Sequence, residues 1–371
     1  MSWIDEKGPD NDIVLSSRIR LARNISDLSF PSIMKGSLAQ DIMDLVKGSL
    51  QGTESDTDRK YRFIAIKDLA AADRQVLVER HLASRELMKL ADISALMVDE
   101  KQEVTVMINE EDHIRLQCIL PGFQLSQAWD LLDAIDDLIE DKVDYSFDDR
   151  LGYLTTCPTN VGTGLRASVM MHLPALAATK QISAVLRTIS KIGLTARGLY
   201  GEGSEALGNI YQISNQITLG PSEDEIINNL TVASQRIFEK ERQAQRALLK
   251  VSGSQFEDVL WRAIGTLLYA RVMDLKEFMS LLSQIRLGAG LGLFPQITAE
   301  NINELMILGQ PGALKKRVGR ALVQEEQSSI RAKAVRSRLD ELMFSVNKAN
   351  EKERGHKEDQ MQDSEEQKDQ E

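Results

Sequence analysis

The sequence predicts an α+β protein in which a mixed or antiparallel sheet, flanked by helices, is followed by an all-helical domain. Short apolar runs that alternate with a period of two recur between residues 13 and 120, which is typical of half-buried strands. Beyond residue 254 these runs end and short amphipathic helices replace them. A chain of 371 residues has room for two domains of about 150 residues each. We therefore expect one domain over 13–250, a helical domain over 254–345 and a tail over 346–371.

The strand pattern is clearest at 13–22 and in the segment 103–120. The first, IVLSSRIRLA, predicts a strand with an apolar face made by Ile13, Leu15, Ile19 and Leu21 and a polar face that carries Ser16, Arg18 and Arg20. The second predicts a hairpin, because two alternating runs flank the polar segment NEEDH and place Arg115 and Gln117 on the polar face of the return strand. Further strands are predicted over 61–66 and 94–98.

Helical spacing predicts a helix over 124–144 and a long polar helix over 222–251. Between them, 163–192 is predicted to hold one or two helical segments interrupted at Pro174, with Thr163 as a cap and Arg166 in the first turn. The glycine-rich segment 193–219 predicts loops and one or two strands. The C-terminal domain is predicted to contain four helices, over about 255–271, 274–286, 298–308 and 326–345. The tail, with five basic and nine acidic side chains from Lys348 onward, is expected to be disordered.

Composition and missing motifs exclude several classes of protein. The net charge of −11 argues against a main role in binding nucleic acid, and no stretch is apolar enough to cross a membrane. A cytoplasmic protein is predicted, because the sequence has no secretory leader pattern and its two cysteines lie outside any CxxC pair. No Gly-Lys dipeptide and no HRD or DFG triplet occur, which removes phosphate-loop NTPases and eukaryotic-type kinases. The four scattered histidines predict no metal site.

Five arginines are candidates for a polyphosphate site: Arg18, Arg20, Arg115, Arg166 and Arg197. A guanidinium presents a planar fork of N–H donors that matches phosphate oxygens, so several on one sheet face would bind a polyphosphate without a glycine-lysine loop. The alternative is that each arginine is solvated or paired with an acid.

The segment CPTNVGTGLRAS at 157–168 and the acids at two turns are the other candidates. Cys157, beside a positive region, would have its thiolate favoured, although a lone cysteine is also often a small buried apolar residue. Glu110, Glu111 and Asp112 at the hairpin tip, and Glu202 in GEGSE, could orient a planar guanidine and accept its proton. Hydrated acids without a role are the alternative.

Four segments in this order resemble the signature segments of the phosphagen (guanidino) kinase family: SSRIRLARN at 16–24, NEEDHIR at 109–115, CPTNVGTGLRASV at 157–169 and RGLYGEGSE at 197–205. The resemblance is strongest to bacterial protein-arginine kinases of the McsB type. These begin near the catalytic domain, without the small helical N-terminal domain of the free-arginine kinases, and add a helical C-terminal domain. The resemblance implies that 13–250 is the catalytic domain.

The resemblance also implies roles for individual residues. Glu111 and Glu202 match the acids that hold the guanidinium and act as base, and Cys157 matches the cysteine beside it. The residues implied to bind ATP are Ser16, Ser17, Arg18, Ile19, Arg20, His81, Arg115, Arg166, Ala167, Ser168, Val169, Met170, Arg197, Gly198, Leu199, Tyr200, Gly201 and Glu202. Mg²⁺ would be held mainly by the ATP phosphates rather than by side chains.

The implied activity is phosphorylation of arginine side chains in proteins, since an open site without an N-terminal domain admits a protein surface. The implied partners are an McsA-like activator, the ClpC–ClpP protease and a CtsR-like stress repressor, and the implied assembly is a homodimer. A kinase for free arginine or another small guanidine is one alternative, and a catalytically weak adaptor for protease components is another. The family's RDxxRA phosphoarginine motif is degenerate here: Arg331 and Ala332 remain, but Gln327 and Ser328 replace its arginine and aspartate.

Overall fold

The computed structural model describes residues 3–34, 36–50, 59–198 and 206–343. The tail at 346–371, expected to be disordered, lies outside these ranges. Within them the chain forms ten strands: β1 (Val14–Arg23), β2 (Tyr61–Ala65), β3 (Ala95–Asp99), β4 (Val104–Ile108), β5 (Ile114–Pro121), β6 (Phe147–Asp148), β7 (Gly152–Tyr153), β8 (Leu165–His172), β9 (Leu194–Gly198) and β10 (Ile210–Asn215).

Eight of these strands form one sheet with the order β2-β3-β4-β5-β1-β8-β10-β9, and every neighbouring pair is antiparallel. Strands β6 and β7 form a separate short ribbon. The predicted sheet and the predicted hairpin at 103–120 are confirmed. Strand β1 lies at the centre between β5 and β8, so its polar face meets polar side chains from both neighbours.

The helices flank this sheet and continue beyond it: α1 (Gly36–Leu50), α2 (Ala71–Glu79), α3 (Arg85–Lys89), α4 (Leu125–Glu140), α5 (Pro174–Ala178), α6 (Ile182–Ser190), α7 (Glu223–Tyr269), α8 (Leu275–Gly290), α9 (Ala299–Leu308), α10 (Pro311–Val318) and α11 (324–343). Helix α7 is broken at Gly253, where φ is 30° and ψ is −114°. Ser222 starts it with a capping box that includes Glu225.

Two apolar cores lie on opposite faces of the sheet. The larger one packs helices α1, α4 and α7 against one face, through Ile19, Leu132 and Val169 among others. The second joins the C-terminal helices to the other face, where Met170 and Ile210 meet Phe278 and its neighbours. Burial of apolar surface in both cores is the main favourable term in folding. The C-terminal helices therefore cover part of the face that also carries the arginines.

Two details of β1 and β8 differ from the sequence predictions. A register shift between Val14 and Ser16 turns Leu15 toward the C-terminal core, so Leu15 does not share a face with Ile19 as predicted. The helix predicted to begin near Thr163 is wrong, because 165–172 forms the strand β8. Almost every residue of β8 is buried, since both faces are covered. Its first residues, LRASV, alternate between apolar and polar as a strand does, but Met170 and Met171 interrupt the pattern.

The helices predicted at 124–144, 222–251, 274–286 and 298–308 are confirmed as α4, α7, α8 and α9 within a few residues. The helix predicted over about 255–271 is the second part of α7, beyond the break at Gly253. Helix α10 was not predicted from the sequence, because its eight residues contain three basic side chains and only two buried positions. It proves important for the shape of the site.

Candidate active site

The five candidate arginines line one cavity of about 800 Å³ on the polar face of the sheet. They come from four strands: Arg18 and Arg20 from β1, Arg115 from β5, Arg166 from β8 and Arg197 from β9. Arg20 lies directly opposite Arg166 in the register of β1 and β8. Alternation along neighbouring antiparallel strands places these side chains on one face. The sequence predicted strand positions for Arg18, Arg20 and Arg115, whereas it placed Arg166 in the first turn of a helix, which is wrong.

Burial and the neighbouring positive charges lower the pKa values of two arginines in this cluster. Burial, followed by the charges of Arg115 and Arg166, lowers the pKa of Arg18 to about 9. Burial, followed by the charge of Arg18, also holds the pKa of Arg20 well below its usual value. The Nε–H groups of Arg18 and Arg20 are buried and donate to no acceptor among the described residues. A polyanion in the cavity would supply both the missing hydrogen-bond acceptors and the missing negative charge.

Glu110 is the acid that holds one of these arginines. Its two carboxylate oxygens accept from Nη1 of Arg115 at 2.5 and 2.6 Å, and Ser84 Oγ donates to one of them at 2.5 Å. The backbone N–H of Glu111 donates to the other oxygen. Gln117 plays a similar part for Arg18, whose Nη2 donates to its side-chain oxygen. The arginines are thus oriented before any ligand binds.

A second cavity, of about 460 Å³, adjoins the first and shares four of its arginines: Arg20, Arg115, Arg166 and Arg197. It adds Glu111 and Cys157, the acid and the thiol that the sequence analysis selected. Burial, together with the neighbouring charges of Asp112 and Glu110, raises the pKa of Glu111. A carboxylate with a raised pKa is a better proton acceptor than an ordinary glutamate.

The loop that carries Cys157 is fastened to the hairpin tip that carries Glu111. Oδ1 of the buried Asp112 accepts from the backbone N–H of Thr156 and from Nδ2 of Asn24, both at 2.7 Å. Cys157 Sγ lies 3.0 Å from Thr159 Oγ1. The distance between the acid and the thiol is therefore set by hydrogen bonds of buried groups, which resist change.

Arg23 holds the far end of the same loop. Its guanidinium forms a buried ion pair with Asp136 at 2.7 Å, donates to the carbonyl oxygen of Thr163 and stacks on the ring of Tyr153. Gly164 adopts a φ of 65° against the backbone of Ala22, where a Cβ atom would lie 2.6 Å from a carbonyl oxygen. Close approach of the loop to β1 thus requires glycine at this position.

Only some of the other residues implied to bind ATP lie at or next to the larger cavity. His81 lines the larger cavity, its ring against Trp3 at 5.9 Å, and burial followed by the charge of Arg18 lowers its pKa to about 3. Ser16 and Ser168 are buried beside a small recess next to the cavity. Met170 packs in the C-terminal core and also lines this recess. The remaining members point elsewhere, since Ser17 donates to the carbonyl of Gly122 and the side chains of Ile19, Ala167 and Val169 pack in the larger core.

Part of the implied site falls outside the described ranges. This part comprises Leu199, Tyr200, Gly201 and Glu202, whereas Gly198 ends strand β9. In the C-terminal region, Arg331 is buried and donates to the carbonyl oxygens of Gly309 and Met273. Ala332 is also buried, in the C-terminal core. Gln327 and Ser328 donate to backbone carbonyls of the preceding segment. These contacts give Arg331 a structural task that the sequence analysis did not foresee.

Sequence analysis missed several residues that shape the cavities. The sequence analysis did not distinguish Glu110 from the other acids of the hairpin tip. Its position five residues before Arg115, across the hairpin, is the signal that the two side chains can pair. Helix α2, with Gln75, Val78 and Glu79, lines the larger cavity, and so do Leu275, Gln310 and Pro311 from the C-terminal region. Nothing in the sequence marks these contributions, because they depend on how distant segments pack.

Among the described residues, no group of three or more histidine, cysteine or acidic side chains is placed to hold a metal ion. No helix in the part of the chain that the structure describes is long and apolar enough to cross a membrane. The polar lining of both cavities is dominated by guanidinium groups, and this donor set suits anionic oxygens rather than a cation. A divalent cation would therefore enter with a polyphosphate that carries it.

Comparisons with known proteins agree with this geometry. Residues 41–244 match the catalytic C-terminal domain of the ATP:guanido phosphotransferases, and residues 253–354 match the C-terminal domain of the protein-arginine kinase McsB. The chain is 48% identical over 338 residues to a protein-arginine kinase of Geobacillus kaustophilus, covering 91% of this chain and 93% of that one. It is 47% identical to the protein-arginine kinase of Bacillus subtilis, with the same coverage.

Solved structures place the fold in the same group. Lombricine kinase superposes with a TM-score of 0.55 at 26% identity, covering 66% of this chain and 69% of that one. The duplicated taurocyamine kinase of Schistosoma mansoni, solved with bound components of a transition-state analogue, gives a TM-score of 0.57 at 26% identity. That match covers 65% of this chain and 35% of the duplicated protein. By its fold, its two matched domains and its close relatives, this chain belongs to the ATP:guanido phosphotransferase family, in the protein-arginine kinase group that carries the McsB C-terminal domain.

Proposed function

We propose that this protein transfers the γ-phosphoryl group of ATP to the guanidinium of arginine side chains in proteins. The observation that carries the proposal is that two cavities, one suited to a polyphosphate and one suited to a guanidinium, share four arginines. A phosphoryl group at that junction would be reached from both sides. The relatives named protein-arginine kinase, which match over most of their length, support a protein as the acceptor.

In this proposal ATP occupies the larger cavity with its phosphates against Arg18, Arg20, Arg115, Arg166 and Arg197. Phosphoryl transfer requires alignment and charge neutralisation more than covalent help, and the arginines supply the charge. Mg²⁺ bound to the phosphates would add positive charge, with no protein ligand required. Because Glu110 and Gln117 already orient Arg115 and Arg18, little reorganisation is needed when the nucleotide binds.

The acceptor arginine enters the smaller cavity, beside Glu111 and Cys157. Glu111 binds the guanidinium and accepts the proton that its nitrogen loses as the new N–P bond forms and the P–O bond to ADP breaks. Its raised pKa suits a group that must take up a proton at this step. We propose that Glu202 shares this role and that Cys157 contacts the guanidinium, as in the family. Holding both reactants in one geometry supplies much of the rate enhancement.

The domain limits and partners belong to the same proposal. We propose a catalytic domain over 13–250 and a helical C-terminal domain over 254–345 that mediates homodimer formation, with the break at Gly253 in support of the boundary. We also propose a cytoplasmic location, activation by an McsA-like protein, and marking of substrates, including a CtsR-like stress repressor, for ClpC–ClpP proteolysis. The family resemblance alone supports these partners.

The deciding experiment offers the protein, with ATP and Mg²⁺, an arginine-containing protein and free arginine in separate reactions. Products are read by mass spectrometry without acid treatment, since the N–P bond is acid-labile. We expect phosphate on protein arginine, and we expect Glu111→Gln to slow its formation at least about a hundredfold. Phosphate on free arginine alone would replace the proposal with a small-molecule kinase. No transfer to either acceptor, with or without an activator, would contradict it and favour the adaptor alternative.

A further inference from the structure

Helix α2 forms one wall of the larger cavity, yet it has little support from the catalytic domain. None of its nine described residues is buried, and Leu77 only partly packs against a small apolar cluster around Ile66 and Leu87. Five of its residues line the cavity: Ala71, Arg74, Gln75, Val78 and Glu79. A wall with so little buried apolar surface needs another source of stability to stay in place.

The C-terminal helix α10 supplies that support. Gly312 and Ala313 donate their backbone N–H groups to the two carboxylate oxygens of Glu79, at 2.7 and 3.1 Å. No side chain of its own segment caps α10, so the carboxylate of Glu79 is its cap and meets the positive end of the helix dipole. Lys315 Nζ donates to Gln75 at 3.0 Å from the same helix.

The two helices approach each other closely at Gly312. A Cβ atom at this position would lie 2.6 Å from Oε2 of Glu79 and 2.8 Å from Cγ of Gln75. These are the two α2 side chains that both contact α10 and line the cavity. Any side chain at residue 312 must therefore displace groups that shape the cavity wall.

The C-terminal region also reaches the cavity directly. Leu275, Gln310 and Pro311 are among its lining residues, and Gln310 and Pro311 directly precede Gly312 in the chain. Leu275, Pro311 and Val78 give the cavity apolar surface, which suits a nucleobase, while the arginines suit phosphates.

We propose that the C-terminal helical region completes the nucleotide site, with Glu79 and Gly312 as positioning residues that hold α2 against bound ATP. The inference rests on the proposed assignment of ATP to the larger cavity. It adds that nucleotide affinity depends on residues about 230 positions apart in the sequence, joined by the 2.7 Å hydrogen bond between Glu79 and Gly312. By reciprocity, whatever moves α10 alters ATP affinity, and ATP in turn stabilises the docked position of α10.

The test uses the full-length protein and the substitutions Gly312→Ala, Gly312→Val and Glu79→Ala. Alanine and valine both favour a helix more than glycine does, so a loss of affinity could not be blamed on helix propensity. The controls are Gly265→Val, made where a Cβ atom meets nothing within 4 Å, and Thr298→Ala, which removes the cap of α9 away from the cavity. Calorimetry with ATP and Mg²⁺ gives the dissociation constant, and kinetics give KM for ATP and for the protein acceptor.

We expect the glycine and glutamate variants to weaken ATP binding at least about fivefold, the lower range of typical coupling between sites. In these variants the KM for the protein acceptor should stay within about twofold of wild type. Both control variants should bind ATP with an affinity within about twofold of wild type. Normal ATP binding by Gly312→Ala and Gly312→Val would overturn the inference, and so would an effect confined to Glu79→Ala, which would indicate direct contact with the nucleotide. Arg18→Ala separates a failure of the ATP assignment from a failure of the role proposed for α10. If it leaves ATP binding unchanged, the ATP assignment fails, whereas a loss in Arg18→Ala alone would refute only the role of α10.

Discussion

Glu110 binds Arg115 through both carboxylate oxygens, which lie 2.5 and 2.6 Å from the same Nη1 atom. Burial favours the neutral acid, but Arg115 and the donors around it outweigh burial and hold the pKa of Glu110 below its usual value. Arg115 shows the converse, since Glu110 more than offsets the effect of burial and raises its pKa. Both groups are therefore charged at neutral pH. One of the arginines shared by the two cavities is fixed in this way before substrates bind.

The first prediction concerns this pair. Glu110→Gln removes the negative charge and one acceptor, so Arg115 loses its orientation and is left partly unpaired. We expect the free energy of unfolding to fall by about 1–3 kcal/mol, the range for a hydrogen bond to a buried charged group. We also expect KM for ATP to rise, because the cavity gains a mobile arginine. Urea unfolding and steady-state kinetics measure the two effects.

Glu103→Gln is the matched control for Glu110→Gln. Glu103 pairs with Arg59 at 2.8 Å at the opposite end of the hairpin strands, outside both cavities. This variant should lose stability but keep the wild-type KM for ATP. If Glu110→Gln also lost only stability, the pair would be structural and its role in orienting Arg115 would be disproved.

The second prediction concerns the proposed base. Glu111→Gln should lower kcat at least about a hundredfold, the usual contribution of a positioned acid or base, with little change in KM for ATP. Because burial raises the pKa of Glu111, the carboxylate takes up a proton at a higher pH than an exposed glutamate, whose pKa is about 4.3. Only the ionised form accepts the substrate proton. Activity should therefore fall with decreasing pH before an exposed glutamate would titrate.

A pH–rate profile of kcat/KM measures this fall in activity at acidic pH, which is the acid limb of the profile. Glu100→Gln, an exposed acid of the neighbouring turn, is the control and should leave the profile and kcat unchanged. An acid limb that stayed in place after Glu111→Gln, in whatever activity remained, would mean that another group is the base. Glu202 would then be the next residue to substitute.

The strand faces of Arg18, Arg20 and Arg115 could be predicted from the sequence because they depend on local alternation, whereas Arg166 was expected in a helix. The period of two places Arg18 and Arg20 on one face of β1, and the same period places Arg115 on one face of β5. Neighbouring strands of an antiparallel sheet then bring these faces together. This prediction requires only the alternation along each strand. The pairing register of β1 and β8 then decides that Arg20 lies opposite Arg166.

Other parts could not be predicted, for physical reasons that differ. Strand β8 is buried on both faces, and its alternation covers only residues 165–169 before Met170 and Met171 interrupt it, so the pattern is too short to distinguish a strand from a helix. Leu15 changes face because of a register shift that no periodicity reveals. The contacts of Glu79 with Gly312 join segments far apart in the sequence, and only tertiary packing creates them.

The third prediction uses the two cysteines. Cys157 is partly exposed and lines the smaller cavity, whereas Cys118 is buried and burial raises the pKa of its thiol. Because the thiolate is the reactive form, iodoacetamide should modify only Cys157 in the folded protein. A guanidine substrate should protect it, and ATP without acceptor should protect it less. Peptide mass spectrometry after limited alkylation measures both.

Cys157→Ser provides the control for this labelling. The folded variant should take up no label, and Cys118 should react only after unfolding in urea. Equal protection of Cys157 by ATP and by the acceptor would contradict the assignment of the smaller cavity to the guanidinium. Label on Cys118 in the folded variant would show that the core around β5 opens.

The last prediction concerns stability in mild acid. His172 is buried, His81 is partly buried in the wall of the larger cavity, and burial lowers the pKa of both, to about 3 for His81. Below about pH 6.5 the unfolded chain binds a proton at each histidine while the folded chain does not, so stability is lost as the pH falls. The loss at about pH 5.5 is about 1.4 kcal/mol for each histidine relative to about pH 7.5. His172→Gln, which keeps a polar group near its partner Ser283, should reduce this loss by about 1.4 kcal/mol. Urea unfolding at both pH values measures the difference. An unchanged pH dependence in the variant would mean that His172 is protonated in the folded protein, and that burial does not keep it neutral.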